Sequence, residues 1–233
     1  MIPLRDVIPS RTTPITTVSL LVLNVCVFLL QVGLDEREMQ HFVRAWGLVP
    51  AYFSWTAVVT SMFVHGGFLH LAGNMLYLWI FGDNVEDRLG HGRFLLFYLL
   101  CGTGAALVQT MVSAGSLVPM VGASGAIAGV MGGYFVLYPR SRVLTLLPFP
   151  LMLFELPAIY LLGFWFVMQF VSGLGSLSIA AESELAGGVA FWAHIAGFAA
   201  GVLLVLLLRR PERQRVEWWD AANDVRARSA QDR

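Results

Sequence analysis

The chain has 233 residues and no net charge; 57% of its residues are hydrophobic and only 13% are charged. Soluble domains carry about a quarter charged residues, so the composition excludes an ordinary soluble domain and indicates a multi-pass membrane protein. We expect a lipid bilayer around it and no nucleic-acid partner.

Six apolar runs approach the length of about 20 residues that a helix needs to cross a bilayer. They are Thr16 to Leu34, Gly66 to Gly82, Phe94 to Val112, Gly122 to Tyr138, Pro157 to Ser172 and Gly187 to Leu208. The first run follows arginines but no small-residue cleavage site follows it, so it is expected to be a retained span.

The arginines predict the orientation, because cytoplasmic loops hold the basic excess. An inside N-terminus leaves only Arg37 and Arg44 outside, and the chain has no lysine. The expected fold is therefore an all-α membrane protein, a bundle of six transmembrane helices over 16–208. The segments 1–15 and 209–233 are expected to be cytoplasmic, the second as a polar tail.

The segment 35–65, after the first span, is expected to lie outside and is rich in aromatic residues. They are Phe42, Trp46, Tyr52, Phe53 and Trp55. Such rings settle at the lipid headgroup level, which predicts short helices partly within the outer interface.

The second span carries His70 and Asn74. Polar residues inside spans suggest function by default, and these two share a helix face because they are four residues apart. They would lie roughly 6 and 12 Å below the outer end of the span.

The fourth span contains the stretch VGASGAIAGVMGG, from Val121 to Gly133, with the single serine Ser124. The span is short, roughly 24 Å against a layer of about 30 Å, so its recessed outer end would put Ser124 at the depth of His70 and Asn74.

Small residues favour close packing of the fourth and sixth spans. The fourth carries Gly125, Gly129 and Gly133 and the sixth Gly197 and Gly201. His194 lies on the same face of the sixth span, roughly 10 Å deep, so this packing would bring its imidazole against Ser124.

Simpler interpretations exist. A lone serine in a membrane helix usually bonds a carbonyl one turn earlier, and a lone histidine could be a core residue, a proton relay or a metal ligand. No H-E-x-x-H zinc motif occurs. A zinc trio of His65, His70 and His194 remains conceivable, although no spacing favours it.

The fifth span follows Pro148, Pro150 and Pro157 and carries Phe164, Trp165 and Phe166 in place of small packing residues. It is therefore expected to be loosely attached.

Four segments together resemble the rhomboid intramembrane serine proteases. They are GASGAIAGVMGG around Ser124, HGGFLHLAGNM from His65, YLWIFGDNVEDRLG from Tyr77 and WAHIAGFAAG from Trp192. The resemblance implies that Ser124 is the nucleophile and His194 its general base, without a third acid. It also implies that Asn74, His70 and the backbone N–H of Ser124 stabilise the oxyanion.

Hydrolysis also needs water below the membrane surface, so we expect a hydrophilic pocket from the outer face to Ser124, with His65, His70 and Asn74 in its walls. Transmembrane protein substrates would enter past the fifth span, whose Phe164, Trp165 and Phe166 would form the gate, in keeping with the family. No metal or cofactor is expected, and the expected location is a prokaryotic cell membrane.

The chain departs from the family in two places. Thr56 follows Trp55 where many relatives have an arginine, and Ala128 stands where some relatives have an aromatic ring. Two alternatives are a catalytically silent rhomboid-like protein that binds transmembrane segments, and a transporter or proton channel. Silent relatives lack the serine or histidine, whereas a transporter would have broken helices in paired halves.

Overall fold

The computed structural model describes residues 1–179 and 190–210. Within these residues it has eight α-helices: α1 (Ile15–Val32), α2 (Glu36–Trp46), α3 (Trp55–Thr60), α4 (Phe68–Leu89), α5 (His91–Val112), α6 (Ser124–Leu137), α7 (Ala158–Ile179) and α8 (Phe191–Leu208). Three strands accompany them: β1 (Ile2–Asp6), β2 (Arg142–Pro148) and β3 (Leu151–Pro157).

Four of the described helices, α1, α5, α7 and α8, are long and apolar enough to cross a membrane. The helix α6 is apolar but has 14 residues, and α4 has 22 residues with charged side chains near its C-terminus. The six-span arrangement and the cytoplasmic position of both termini remain predictions. The tail 211–233 lies outside the described residues.

The helix α6 forms the centre of the bundle. Every residue from Gly125 to Tyr134 is buried, and α6 packs between α5 and α8. Added Cβ atoms at Gly125 and Gly129 would clash with Ala105 and Cys101 of α5. The neighbouring helices lie so close to α6 that these positions have no room for a larger side chain.

The expected close packing of α6 against α8 is confirmed. A Cβ at Gly197 would overlap the carbonyl oxygen of Gly125, and a Cβ at Gly201 would overlap that of Gly129. The two backbones are therefore in direct contact, as small residues at four-residue spacing permit.

The expected short helices between α1 and α4 are also confirmed. The helix α2 begins with a capping box formed by Asp35 and Glu38, a single 3-10 turn covers Pro50–Tyr52, and α3 follows. Leu48 exchanges two backbone hydrogen bonds with Met120, of 2.9 and 2.8 Å. This pairing ties the segment to the loop that leads into Ser124.

The expectation of an all-α fold is wrong in one respect, because β1, β2 and β3 form an antiparallel sheet in that order. Asp6 pairs with Val143 across β1 and β2, and Val143 pairs with Leu156 across β2 and β3. Prolines bound both strands of the β2–β3 hairpin and keep this apolar stretch out of a helix. The segment 1–15 is therefore tied to the bundle at one end.

The helix α4 continues past the predicted end at Gly82, because its acidic residues find partners in the N-terminal segment. The buried carboxylate of Glu86 accepts hydrogen bonds from the backbone N–H groups of Thr16 and Thr17, at 2.8 and 2.7 Å. These are N–H groups that the first turn of a helix cannot satisfy by itself, and Pro14 supplies no side-chain cap. Glu86 therefore caps α1 from a neighbouring helix.

Candidate active site

Ser124 and His194 are in hydrogen-bonding contact. Ser124 is the first residue of α6 and His194 lies in the first turn of α8. The Oγ of Ser124 lies 2.8 Å from Nε2 of His194. The imidazole is buried, with 9% of the residue exposed, whereas Ser124 is half-buried. The contact follows from the glycine packing, which sets α6 and α8 backbone to backbone just below this level.

The other nitrogen of His194 has a partner that the sequence analysis missed. Its Nδ1 lies 2.7 Å from the amide oxygen Oε1 of Gln169, on α7. No third acid was expected beside His194, and the group that lies there is the uncharged amide of Gln169. The sequence did offer one signal for Gln169, because it is a polar residue within the apolar fifth span. Trp165, one turn earlier on α7, packs beside the imidazole with ring centroids 5.8 Å apart.

His70 lies close to the backbone that leads into Ser124. A Cβ added at Gly122 would come within 2.7 Å of Nε2 of His70, and Gly122 has a φ of +117°. Both space and backbone conformation therefore require glycine here. Nδ1 of His70 accepts a hydrogen bond of 3.4 Å from the Gly66 backbone, so the proton of the neutral ring is on Nε2, which points toward Gly122.

Asn74 is held by His65. The amide nitrogen of Asn74 lies 3.0 Å from Nε2 of His65, whose Nδ1 lies 3.3 Å from the carbonyl oxygen of Phe63. Because a carbonyl only accepts, Nδ1 carries the proton and Nε2 accepts from Asn74. One amide hydrogen of Asn74 is used in this way, and the second is left for another acceptor.

His65 is buried, with 1% of the residue exposed. Its backbone exchanges two hydrogen bonds with the side-chain amide of Gln31 on α1, at 2.7 and 3.0 Å. Burial, together with the neighbouring His70, lowers the pKa of His65 to about 4. The residue expected in a pocket wall is thus an internal support that stays neutral at ordinary pH.

A cavity of about 30 Å³ borders Ser124. Its lining includes Ser61 and Met62 before α4, Gly122 and Ala193, but not the side chains of His65, His70 and Asn74. This cavity is lined mainly by small and apolar residues. The expected hydrophilic pocket with His65, His70 and Asn74 in its walls stays a prediction.

The three expected gate residues occupy different positions on α7. Phe164 is about half exposed, whereas Trp165 and Phe166 both pack against Phe198 of α8, with ring centroids 6.2 and 4.9 Å apart. The helix α7 packs chiefly on α8. It is thus attached mainly along one side.

The residues required for a zinc trio are not assembled. Within residues 1–179 and 190–210, no three His, Cys, Asp or Glu side chains come together to hold a metal ion. The ring nitrogens of His194 contact Ser124 and Gln169.

A family model described as the Rhomboid domain matches residues 52–211, which is more than half of the chain. Three curated relatives give comparable matches. Rhomboid-like protein 11, chloroplastic, from Arabidopsis thaliana is 30% identical over 78% of this chain and 65% of its own length. Rhomboid protein 1, mitochondrial, from Saccharomyces cerevisiae is 32% identical over 88% of this chain and 56% of its own length.

The putative rhomboid protease YdcA from Bacillus subtilis is 29% identical over 74% of this chain and 77% of its own length. The chain spans less than two thirds of the plant and yeast relatives, at 65% and 56% of their lengths. The match over 52–211 includes α4, α6 and α8, which carry the site. With apolar helices of membrane-spanning length and this match, the chain is an integral membrane protein that belongs to the rhomboid family.

Proposed function

We propose that this protein is an intramembrane serine protease, which hydrolyses peptide bonds in or near the transmembrane segments of membrane-protein substrates. The observation that carries the proposal is the 2.8 Å contact between Ser124 Oγ and His194 Nε2. A serine hydroxyl becomes an effective nucleophile when a base within this distance takes its proton.

The chemistry would proceed in two stages. As Ser124 Oγ attacks the scissile carbonyl carbon, its proton passes to Nε2 of His194, which then gives that proton to the departing amine. His194 next takes a proton from water, and the resulting hydroxide attacks the acyl-enzyme. The bond from the acyl carbon to Ser124 Oγ then breaks, and His194 returns the proton to Oγ as the second product leaves. The cavity beside Ser124 is large enough for a water molecule.

Three donors could stabilise the negative charge on the substrate oxygen. The first is the backbone N–H of Ser124, which at the start of α6 has no intrahelical acceptor. The second is the remaining amide hydrogen of Asn74, and the third is Nε2–H of His70. Both side chains lie next to Gly122, at 3.5 and 2.7 Å from an added Cβ, two residues before the nucleophile.

Substrates would approach past α7, with Phe164, Trp165 and Phe166 as the gate and 16–208 as the protease domain. The one-sided attachment of α7 to α8 supports this route.

The plant and yeast relatives are organellar by name, so the comparisons do not favour the expected prokaryotic cell membrane over an organelle membrane.

The decisive test is covalent labelling by a fluorophosphonate. The purified protein should label at Ser124, and labelling should disappear in Ser124→Ala and in His194→Ala. Asn74→Ala should retain measurable cleavage, lowered about 100- to 1,000-fold, because losing one oxyanion donor typically costs that much. A folded wild-type protein that fails to label would support a silent segment-binding role instead.

A further inference from the structure

The helix α7 supplies a polar group directly to the proposed base. Oε1 of Gln169 lies 2.7 Å from Nδ1 of His194. The opposite ring nitrogen faces Ser124 at 2.8 Å. Gln169, His194 and Ser124 therefore form a continuous chain of hydrogen bonds from α7 through α8 to α6.

This pairing selects one form of the imidazole. An amide oxygen only accepts hydrogen bonds, so Nδ1 must carry the proton and Nε2 must present its lone pair to the Ser124 hydroxyl. If the amide were reversed, its N–H group would donate to Nδ1, and Nε2 would carry the ring proton. A protonated Nε2 could not receive a proton from Ser124. The observed orientation is the one that a general base requires.

The location of Gln169 makes this pairing dependent on the position of α7. Among the contacts that hold α7 beside His194 are ring contacts of Trp165 and Phe166 with Phe198, together with packing of Gly173 against Trp192. Any displacement of α7 that separates these groups also removes the acceptor from Nδ1.

We propose that Gln169 is the positioning residue for His194, so that the nucleophile is fully activated only while α7 lies against α8. The proposal rests on the protease function proposed above. It implies that α7 must return to α8, or move only in part, before the peptide bond is cut. The amide takes the place that a carboxylate holds in three-membered serine protease sites.

The test compares rates of fluorophosphonate labelling at Ser124 in three α7 variants of the full chain. Gln169→Leu removes the acceptor at similar size and should slow labelling roughly 10- to 100-fold, by analogy with the loss of a hydrogen-bond partner behind a metal-bound histidine. Met168→Leu introduces the same side chain at the adjacent exposed position and should label at the wild-type rate.

Gln169→Glu retains an acceptor and should retain labelling, but its carboxylate would stabilise the imidazolium. The acidic limb of its pH–rate profile should therefore move to higher pH. His70 is a second titratable side chain near the site, next to Gly122. It is unchanged in every variant, so the difference between profiles reports on the Gln169 position. If the side chain at position 169 did not lie against His194, the acidic limb would stay in place.

The outcomes separate the two proposals. If wild type does not label, the protease function fails. If wild type labels and folded Gln169→Leu labels equally fast, only the positioning role is overturned. If Gln169→Leu does not fold, the Gln169→Glu profile decides the matter: a displaced limb supports the positioning role and an unmoved limb overturns it.

Discussion

At the residue scale, the side chains of the site fall into two layers. Those of the first layer would touch substrate, and those of the second layer hold the first-layer side chains in position. Ser124, His194, His70 and Asn74 belong to the first layer. Gln169 and His65 belong to the second, each using a hydrogen bond to fix the orientation of a reactive group. The sequence made the first layer predictable because polar side chains are rare in apolar spans.

The second layer was harder to predict, for two different reasons. Gln169 carries no charge and matches no motif, so only its location within an apolar run distinguishes it. His65 has a chemically reactive side chain, but its burial and its partner Asn74 depend on how the loop before α4 folds. The sequence therefore marked His65 as a polar residue of the site, but not its hydrogen bond to Asn74.

A double-mutant cycle tests the support that His65 gives to Asn74. His65→Phe removes the acceptor that orients the amide and should lower kcat/KM, though by less than Asn74→Ala. The double variant should be no slower than Asn74→Ala alone, because an effect that His65 exerts only through Asn74 is already lost when Asn74 is replaced. Cleavage of a membrane substrate in liposomes gives the rates. Additive losses would mean that His65 acts independently of Asn74.

At the element scale, the α6–α8 contact controls the position of the dyad. Gly201→Ala would force a methyl group against the carbonyl oxygen of Gly129. We expect a destabilisation of about 1–3 kcal/mol, as is typical of overpacking. Slower labelling of Ser124 should accompany it, because the two backbones must separate.

Gly73→Ala is the matched control for this substitution. Gly73 lies within α4 and an added Cβ there meets nothing within 4 Å, so the change should be neutral or slightly stabilising through helix propensity. Thermal unfolding in one detergent compares the two variants. Equal effects at Gly201 and Gly73 would contradict the importance of the backbone contact.

The strand β1 should respond to pH through Asp6. Its carboxylate accepts hydrogen bonds from Tyr134 and Asn84, at 2.6 and 2.9 Å. Burial raises the pKa of Asp6 from 3.8 to about 7, opposed by the Tyr134 hydrogen bond and assisted by Asp83. The folded state thus favours the protonated carboxyl, so this contribution is complete below pH 3.8 and lost as pH rises to about 7.

Attachment of β1 should accordingly weaken between about pH 4 and 7 and change little above that range. Amide hydrogen exchange of β1, corrected for intrinsic rates and compared with α6, measures the effect. Asp6→Asn should remove most of the pH dependence. If exchange in Asp6→Asn keeps the wild-type pH dependence, another group is responsible.

The three-stranded sheet was not predicted from the sequence. The helices were predictable from apolar length, and α6 even from its short span. The strands β2 and β3 are rich in leucine and proline, a composition without a clear strand signal. In addition, β1 pairs with β2 across more than a hundred residues of sequence, and no local pattern contains that information.

At the scale of the whole molecule, the N-terminal segment and α4 stabilise each other. Beyond the Glu86 contacts, Asp87 accepts hydrogen bonds from the backbones of Arg11 and Thr12, at 2.6 and 3.0 Å. This explains why α4 extends through charged residues to Leu89, well past the predicted end. The sequence showed the charges but not their partners.

The proposed gate is also a property of the whole molecule. Leu69 of α4 and Val171 of α7 are both exposed, and cysteines at these positions can be joined by thiol crosslinkers of graded length, with Cys26 and Cys101 replaced. We expect the shortest crosslinker that reacts to suppress cleavage of membrane substrates strongly, since α7 could no longer move away.

Labelling of the crosslinked protein by the small fluorophosphonate should continue, because Gln169 would be retained beside His194. The uncrosslinked double-cysteine protein is the control for both measurements. Undiminished cleavage of membrane substrates after complete crosslinking would contradict the gate.

The direct contact of Gly125 with Gly197 and of Gly129 with Gly201 restricts the direction from which a polypeptide can arrive. Main-chain atoms already fill that junction, so an extended segment has no passage through it. A substrate segment would therefore have to reach the proposed nucleophile away from this junction, and the flank with His70 and Asn74 is one such side. The same tight junction that aligns hydroxyl with imidazole thus closes one side of the site to an incoming chain.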